Sequence, residues 1–178
     1  MKLAKLPFCF STVAYIFGVF LSTIYLNKNK ISLLTFGEDI HLNTGIFIPV
    51  VLNNLYTVSL TILGGFVMAT LTTLELVYNG AIIGGLLVIL PGNVFVTFIL
   101  PHAIFEIPAI IIAGAAGFKI PCEVIRYLMG RKEQVLTRHD IREYFTMALI
   151  SVVLMVIAAW IEANVTLRIA REMLNSTS

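Results

Sequence analysis

The chain has 178 residues, 58% of them hydrophobic and only 12% charged, and its mean hydropathy is +0.95. Because soluble domains carry about 25% charged residues, this composition excludes the soluble globular class and points to the lipid bilayer. The net charge of +2 is too small to indicate a nucleic-acid partner. The two cysteines lack metal or redox spacing, and we expect no cofactor. The length and the apolar runs predict one integral membrane domain over 1–178.

The first predicted element is a transmembrane span over 8–26, preceded by the basic residues Lys2 and Lys5. A charged start and an apolar middle are also typical of signal peptides, but no small-x-small cleavage motif precedes Asn27. We therefore expect a retained membrane anchor. A polar connection over 27–45 follows it.

The remaining apolar runs predict four more spans, near 46–76, 79–98, 101–118 and 144–167. A single helix through the second run would be about 50 Å long, so it must tilt, protrude, or break near Gly64-Gly65. The boundary between the third and fourth spans falls either at 91–93 or at 100–102. The predicted fold class is therefore all-α: a polytopic transmembrane helical bundle of about five spans, with helices broken by proline and glycine.

The segment 119–143 is predicted to be a basic loop on the cytoplasmic side, because it holds the densest group of positive charges in the chain. Its basic residues are Lys119, Arg126, Arg131, Lys132, Arg138 and Arg142. With five crossings the N-terminus shares that side and the C-terminus lies outside.

Polar residues within the spans define the candidate site. His102 and Glu106 lie four residues apart on one helical face, and burying an ionisable group in a bilayer costs at least about 2.5–3.5 kcal/mol. Helical rise places Asn53, Asn54 and Glu162 at a similar depth, in the outer half of the membrane. We therefore predict an intramembrane polar cluster of these five residues.

Small residues and prolines at helical spacing predict close helix packing and local helix breaks. These positions are Asn79, Gly80, Gly84, Pro101, Pro108, Gly114 and Gly117. Glycine-rich faces left open to lipid favour a homodimer or another homo-oligomer.

Several of these motifs also resemble a known family. The run Leu100–Ala109, the tail Ala113–Gly117, Asn53-Asn54, Asn79-Gly80 and the closing run Ala158–Ala163 are together similar to the stage II sporulation protein M family of prokaryotic integral membrane proteins. The similarity covers about 45–167, although Ala103 stands where the family more often has glycine. It implies a prokaryotic cell membrane and these signature positions: Asn54, Asn79, Gly80, His102, Glu106, Pro108, Gly114, Gly117 and Glu162.

Three functions are compatible with these sequence features. By the resemblance, sporulating members anchor peptidoglycan-remodelling enzymes, and the first prediction is therefore a membrane scaffold that recruits partner proteins around the intramembrane polar cluster. The intramembrane acids, imidazole and prolines favour instead a permease or channel for a small solute, ion or proton.

A metalloenzyme with zinc on His102, Glu106 and Glu162 is the third alternative. A metalloprotease helix usually carries two histidines, whereas His41 and His139 fall in predicted loops, so we expect neither a catalytic site nor a bound metal.

Overall fold

The computed structural model describes residues 5–29, 47–67, 69–166 and 168–169, and every regular element in these ranges is helical. Five helices are long and apolar enough to cross a bilayer within the described residues. They are α1 (Lys5–Asn29), α2 (Phe47–Val67), α3 (Thr70–Ile89), α4 (Gly92–Leu128) and α5 (Arg138–Thr166). The predicted all-α bundle with five spans is confirmed.

The long second run is two helices rather than one span over 46–76. α2 tightens into a 3₁₀ turn over Gly64–Val67, and Ala69 then takes a left-handed conformation with φ of 61°. A break near Gly64-Gly65, one of the three predicted alternatives, is thus confirmed. Gly65 is needed here because a Cβ atom at this position would overlap the backbone of Gly117 on α4.

The boundary between the third and fourth spans lies at Leu90-Pro91, next to the first predicted alternative, 91–93. The predicted spans 79–98 and 101–118 are wrong in their limits. Proline disfavours helical geometry in the residue before it, and Leu90 is extended. Pro101 and Pro108 lie inside α4 without ending it. A π-helical turn over Phe95–Ile99 precedes Pro101, which has no N–H to continue the regular ladder.

The predicted basic loop over 119–143 is much shorter in the structure. α4 continues to Leu128 and α5 begins at Arg138, so the connection is only 129–137. The extra turns are stabilised by ion pairs of Lys119 and by a capping box at Thr137, whose Oγ1 accepts a hydrogen bond from the N–H of Asp140.

The helix directions follow from their contacts. α1 runs parallel to α3, since Gly18 lies against Val77 and Val19 against Gly84. α1 runs antiparallel to α4, since Leu6 and Cys122 line one pocket whereas Tyr15 and Glu106 line another. Between them the hydroxyl of Ser11 donates to the carbonyl of Ile111 at 2.7 Å. The start of α1, the α2–α3 turn and the α4–α5 connection therefore share one end of the bundle, called here the basic end.

The core lies between the helices, and the outer surface is apolar. Leu76, Val58 and Met147 are fully buried, whereas Ile48 and Leu149 are about two-thirds exposed. An apolar exterior around a core that contains polar residues is what a bilayer requires. The predicted polar connection lies, from residue 30 on, outside the described residues, as does the polar tail from residue 170.

Candidate functional site: an intramembrane polar cavity

All five helices line one cavity of about 470 Å³ between the middle of the bundle and the end opposite the basic end. It is a polar site in an apolar bundle. Its polar lining residues are Tyr15 on α1, Asn53, Asn54 and Thr57 on α2, Asn79 on α3, His102 and Glu106 on α4, and Glu162 and Thr166 on α5.

The imidazole of His102 is held between its own helix and α5. Its Nδ1 lies 3.4 Å from the hydroxyl oxygen of Thr166, and its Nε2 lies 3.9 Å from a carboxylate oxygen of Glu106. The second distance is too long for a direct hydrogen bond. His102 is buried and Glu106 half-buried, and both line the cavity.

Two buried polar atoms beside the cavity have no hydrogen-bond partner among the described residues. They are the amide Nδ2 of Asn54 and the hydroxyl of Tyr15. Leaving a buried donor unpaired costs about 1–3 kcal/mol, so native structures pair nearly all such groups. Asn79, in contrast, donates its amide to the backbone carbonyl of Glu75 at 2.8 Å. The unpaired donors therefore favour a polar occupant in the cavity.

The charge of the lining is one-sided. Glu106 and Glu162 supply two carboxyl groups, while no lysine or arginine lines the cavity among the residues that the structure describes. Amide, hydroxyl and carboxyl oxygens are ligands for hard cations and acceptors for ammonium groups. The chemistry of the site is therefore suited to a cation or to a solute rich in hydrogen-bond donors.

The cavity closes towards the basic end. Ile110 and Met155 line its inner limit and are almost fully buried. Beyond them α1, α3 and α4 meet closely, because a Cβ atom at Gly114 would lie within 3 Å of Leu76 and also press on the hydroxyl of Ser11. In this conformation the cavity is therefore closed on the side of the basic end.

The structure brings all five residues of the predicted cluster, Asn53, Asn54, His102, Glu106 and Glu162, to the wall of this one cavity. Asn54 is buried and the adjacent Asn53 is exposed. Sequence reasoning missed Tyr15, since one tyrosine in an apolar run carries no charge that would single it out.

Of the residues predicted for packing, Asn79 lines the cavity, whereas the others lie outside its wall. Gly80 and Gly84 lie against the backbone of α1, Gly114 contacts α1 and α3, and Gly117 contacts α2 and α3. Pro101 and Pro108 lie along α4 beside the cavity residues without lining the cavity.

A second polar centre, at the basic end, was not predicted. Lys119 is only 3% exposed, and its ammonium contacts Glu143 at 2.6 Å and Glu123 and Asp140 at 3.2 Å each. Lys132 pairs with the same Glu123 at 2.7 Å and with Asp140 at 2.5 Å. This set of two lysines and three acids is called the ion network.

The ion network fixes α5 against α4. Burial lowers the pKa of Lys132, but hydrogen bonds to Asp140 and Glu123 outweigh burial and hold that pKa above its ordinary value. The sequence signal was present: Lys119 and Glu123 are four residues apart, and Asp140 and Glu143 three apart, so each pair shares a helical face.

The ion network also explains a group of potential metal ligands. Among the described residues, the ligand atoms of His139, Asp140 and Glu143 lie within 4.8 Å of one another. Asp140 already accepts hydrogen bonds from Lys132 and Thr137, and Glu143 accepts one from Lys119. These carboxylates are thus engaged in ion pairs within the protein.

The five apolar helices and the polar cavity between them define a multi-spanning α-helical membrane protein. Residues 8–167 match the family model described as stage II sporulation protein M, and the chain belongs to that family. The resemblance seen in the sequence motifs is confirmed.

Two relatives come from Methanocaldococcus jannaschii, and both are described as uncharacterized proteins. One is 37% identical over 169 residues, covering 92% of this chain and 93% of its own length. The other is 26% identical over 144 residues, covering 79% of this chain and 63% of its own length. No solved structure matches the chain.

Proposed function

We propose that this protein is a permease-type membrane protein whose polar cavity binds a small cation, or a small solute bearing an ammonium group, from the side opposite the basic end. The carboxyl groups of Glu106 and Glu162, in a lining without lysine or arginine among the described residues, carry this proposal. The unpaired amide N–H of Asn54 and hydroxyl of Tyr15 would donate to an oxygen of the solute or of water bound with the cation. A cluster that served only to pack helices would pair these atoms with one another.

The close helix packing between the cavity and the basic end suggests how such transport would proceed. With Ile110 and Met155 at its inner limit, the cavity resembles one state of an alternating-access carrier more than an open channel. The tight turn at Gly64–Val67 and the π-helical turn at Phe95–Ile99 are local irregularities of α2 and α4 where the helices would bend during the transition.

Orientation is part of the same proposal. By the positive-inside rule the basic end, with the connection 129–137, faces the cytoplasm and the cavity faces the outer side of the cell membrane. The N-terminus would then be cytoplasmic and the C-terminus outside.

The test is a flux assay in sealed vesicles reconstituted with the purified protein. A trapped pH-sensitive dye reports proton movement, and radiolabelled sodium, potassium and methylammonium report cation uptake. Glu106→Gln and Glu162→Gln each remove one carboxylate while keeping the side-chain size, so we expect at least a tenfold loss of uptake. Glu75→Gln is the matched control, because Glu75 lies on α3 outside the cavity lining. Parent vesicles that move neither protons nor any of these cations would refute the proposal.

A scaffold function is the second candidate, and the tight packing of the helices between the cavity and the basic end favours it. Here the polar cluster would fix helix register, and the protein, as a homo-oligomer, would present partner proteins with a rigid surface. This alternative predicts no flux in the parent. It also predicts that His102→Gln and Glu106→Gln keep the parent melting temperature, whereas Glu106→Leu lowers it.

A further inference from the structure

The basic end carries a pocket to which the cavity proposal assigns no role. It lies between the start of α1 and the end of α4, has a volume of about 290 Å³, and is lined by Lys5, Leu6, Pro7, Cys122, Glu123, Arg126 and Arg131. It is called here the basic pocket. Three cations and one carboxylate therefore meet where the apolar part of α1 begins.

The single acid of the basic pocket is already neutralised. Glu123 is 1% exposed and contacts Lys119 and Lys132 of the ion network, at 3.2 and 2.7 Å. Arg126 contacts it as well at 3.2 Å, yet its side chain is 53% exposed and a guanidinium has five donors. Lys5 and Arg131 are exposed and have no ion-pair partner among the described residues. The basic pocket therefore has positive charge that its one carboxylate does not neutralise.

A second depression begins at the same lysine and follows α1 into the membrane. It is a shallow groove of about 490 Å³ lined by Lys5, Phe8, Cys9, Thr12 and Val13, and is called the α1 groove. Its surface is almost wholly apolar, and the exposed side chain of Ile16 follows one turn after Thr12 on the same face of α1. A cationic pocket and an apolar groove thus meet at Lys5.

We propose that the basic pocket and the α1 groove together form a binding site for one anionic phospholipid of the surrounding membrane. The phosphate would lie among Lys5, Arg126 and Arg131, and one acyl chain would follow the groove past Phe8 and Val13. Charge complementarity selects this occupant, since basic pockets between transmembrane helices bind anionic head groups. The apolar groove would hold an acyl chain, which a free phosphate lacks. The bound lipid would bridge α1 and the end of α4.

Native mass spectrometry of the detergent-purified full chain tests this site. The protein is titrated with phosphatidylglycerol and, separately, with phosphatidylcholine of the same acyl chains. We expect tighter binding of phosphatidylglycerol, and a loss of about tenfold to thirtyfold in that preference when Arg126→Gln and Arg131→Gln are combined. The matched control combines Arg138→Gln with Arg142→Gln, which removes the same charge from exposed positions outside the pocket.

The groove and the charge are tested separately. Val13→Asn should weaken phosphatidylglycerol binding, whereas Val153→Asn, at a similarly exposed position on α5, should not. Equal losses in the two arginine pairs would overturn the proposal, because the effect would then be a general attraction of charges. Displacement of the lipid by millimolar inorganic phosphate would overturn it too, since the site would then be an anion site without a role for the groove. All variants must melt at the parent temperature, and Arg131→Gln alone, which breaks no ion pair, keeps the test valid if the double variant does not fold.

Discussion

The ion network yields the sharpest prediction, the effect of replacing Lys119 with methionine. Methionine keeps the length and apolar character of the side chain but removes a cation that contacts three buried carboxylates. Breaking a buried ion pair from one side costs about 3–5 kcal/mol, because the partner charge stays buried without compensation. We expect a loss in this range for Lys119→Met.

The geometry indicates which carboxylate causes the loss. After the substitution, Lys132 still pairs with Glu123 and Asp140, at 2.7 and 2.5 Å. Glu143 depends on Lys119 for its one hydrogen bond, since its other oxygen has none among the described residues and lies 3.9 Å from His139. Removing Glu143 as well, as Glu143→Met, should therefore restore part of the lost stability, with a coupling energy of about 0.5–3 kcal/mol between the two positions.

The chain contains its own reporter for the unfolding assay. Cys122 is buried and lies on α4 between Lys119 and Glu123, whereas Cys9 is exposed. In a Cys9→Ser background, a thiol-reactive dye then reports exposure of Cys122 during denaturant titration in detergent micelles, with circular dichroism as the second readout. Arg142→Met is the matched control, because Arg142 is exposed and contributes no ion pair among the described residues.

A free energy of unfolding for Lys119→Met within about 0.5 kcal/mol of the parent value would refute this reasoning, since that is the range of ordinary surface substitutions. An equal loss in Lys119→Met and Arg142→Met would refute it as well, because burial would then have no influence.

Three further predictions concern packing, capping and pH. Gly84→Ala should lower the free energy of unfolding by about 1–3 kcal/mol because its Cβ atom would press on Val19 of α1, whereas Gly92→Ala, which meets no atom within 4 Å, should not; denaturant titration compares the two. Thr137→Ala should cost about 0.5–2 kcal/mol in the same titration by removing the cap of α5, and recovery by Thr137→Ser would assign the loss to the hydroxyl; equal losses in the two variants would contradict it. The pKa of Lys132 is raised in the folded protein, so its ion pairs stabilise the fold fully below the ordinary lysine pKa of about 10.4 and lose that effect as pH rises through the folded pKa. Melting temperatures measured from pH 7 to 11 should therefore stay level and then fall. Lys132→Gln should make that fall smaller.

The number of spans and their polar face could be predicted from sequence because both depend on local periodicity. His102 and Glu106 share a helical face by spacing alone, and an apolar run has to cross the bilayer whatever its neighbours are. The limits of the helices could not be predicted in the same way. The sequence left a break near Gly64-Gly65 as one of three alternatives, and the close approach of Gly117, which is distant in sequence, selects it.

The ion network was missed for a related reason. Lys119 looks like the first residue of a solvated loop when it is read with the other basic residues of 119–143. Its burial depends on Asp140 and Glu143 of α5, and only the antiparallel packing of α4 and α5 brings these acids to it. The cavity, too, could be predicted only in part. Spacing predicts which helix faces are polar, whereas the missing partner of the Asn54 amide is seen only in the folded structure.

Lys119 and Lys132 have a consequence for biogenesis as well as for the folded state. During membrane insertion the translocation machinery counts lysines and arginines near each span, and acidic residues influence that decision little. In the proposed orientation, both lysines would help at that stage to retain the 119–143 segment on the side of synthesis. Once α5 packs against α4, their charges are matched by Glu123, Asp140 and Glu143. The same side chains would thus first direct the topology of the nascent chain, and in the folded protein they join α4 to α5.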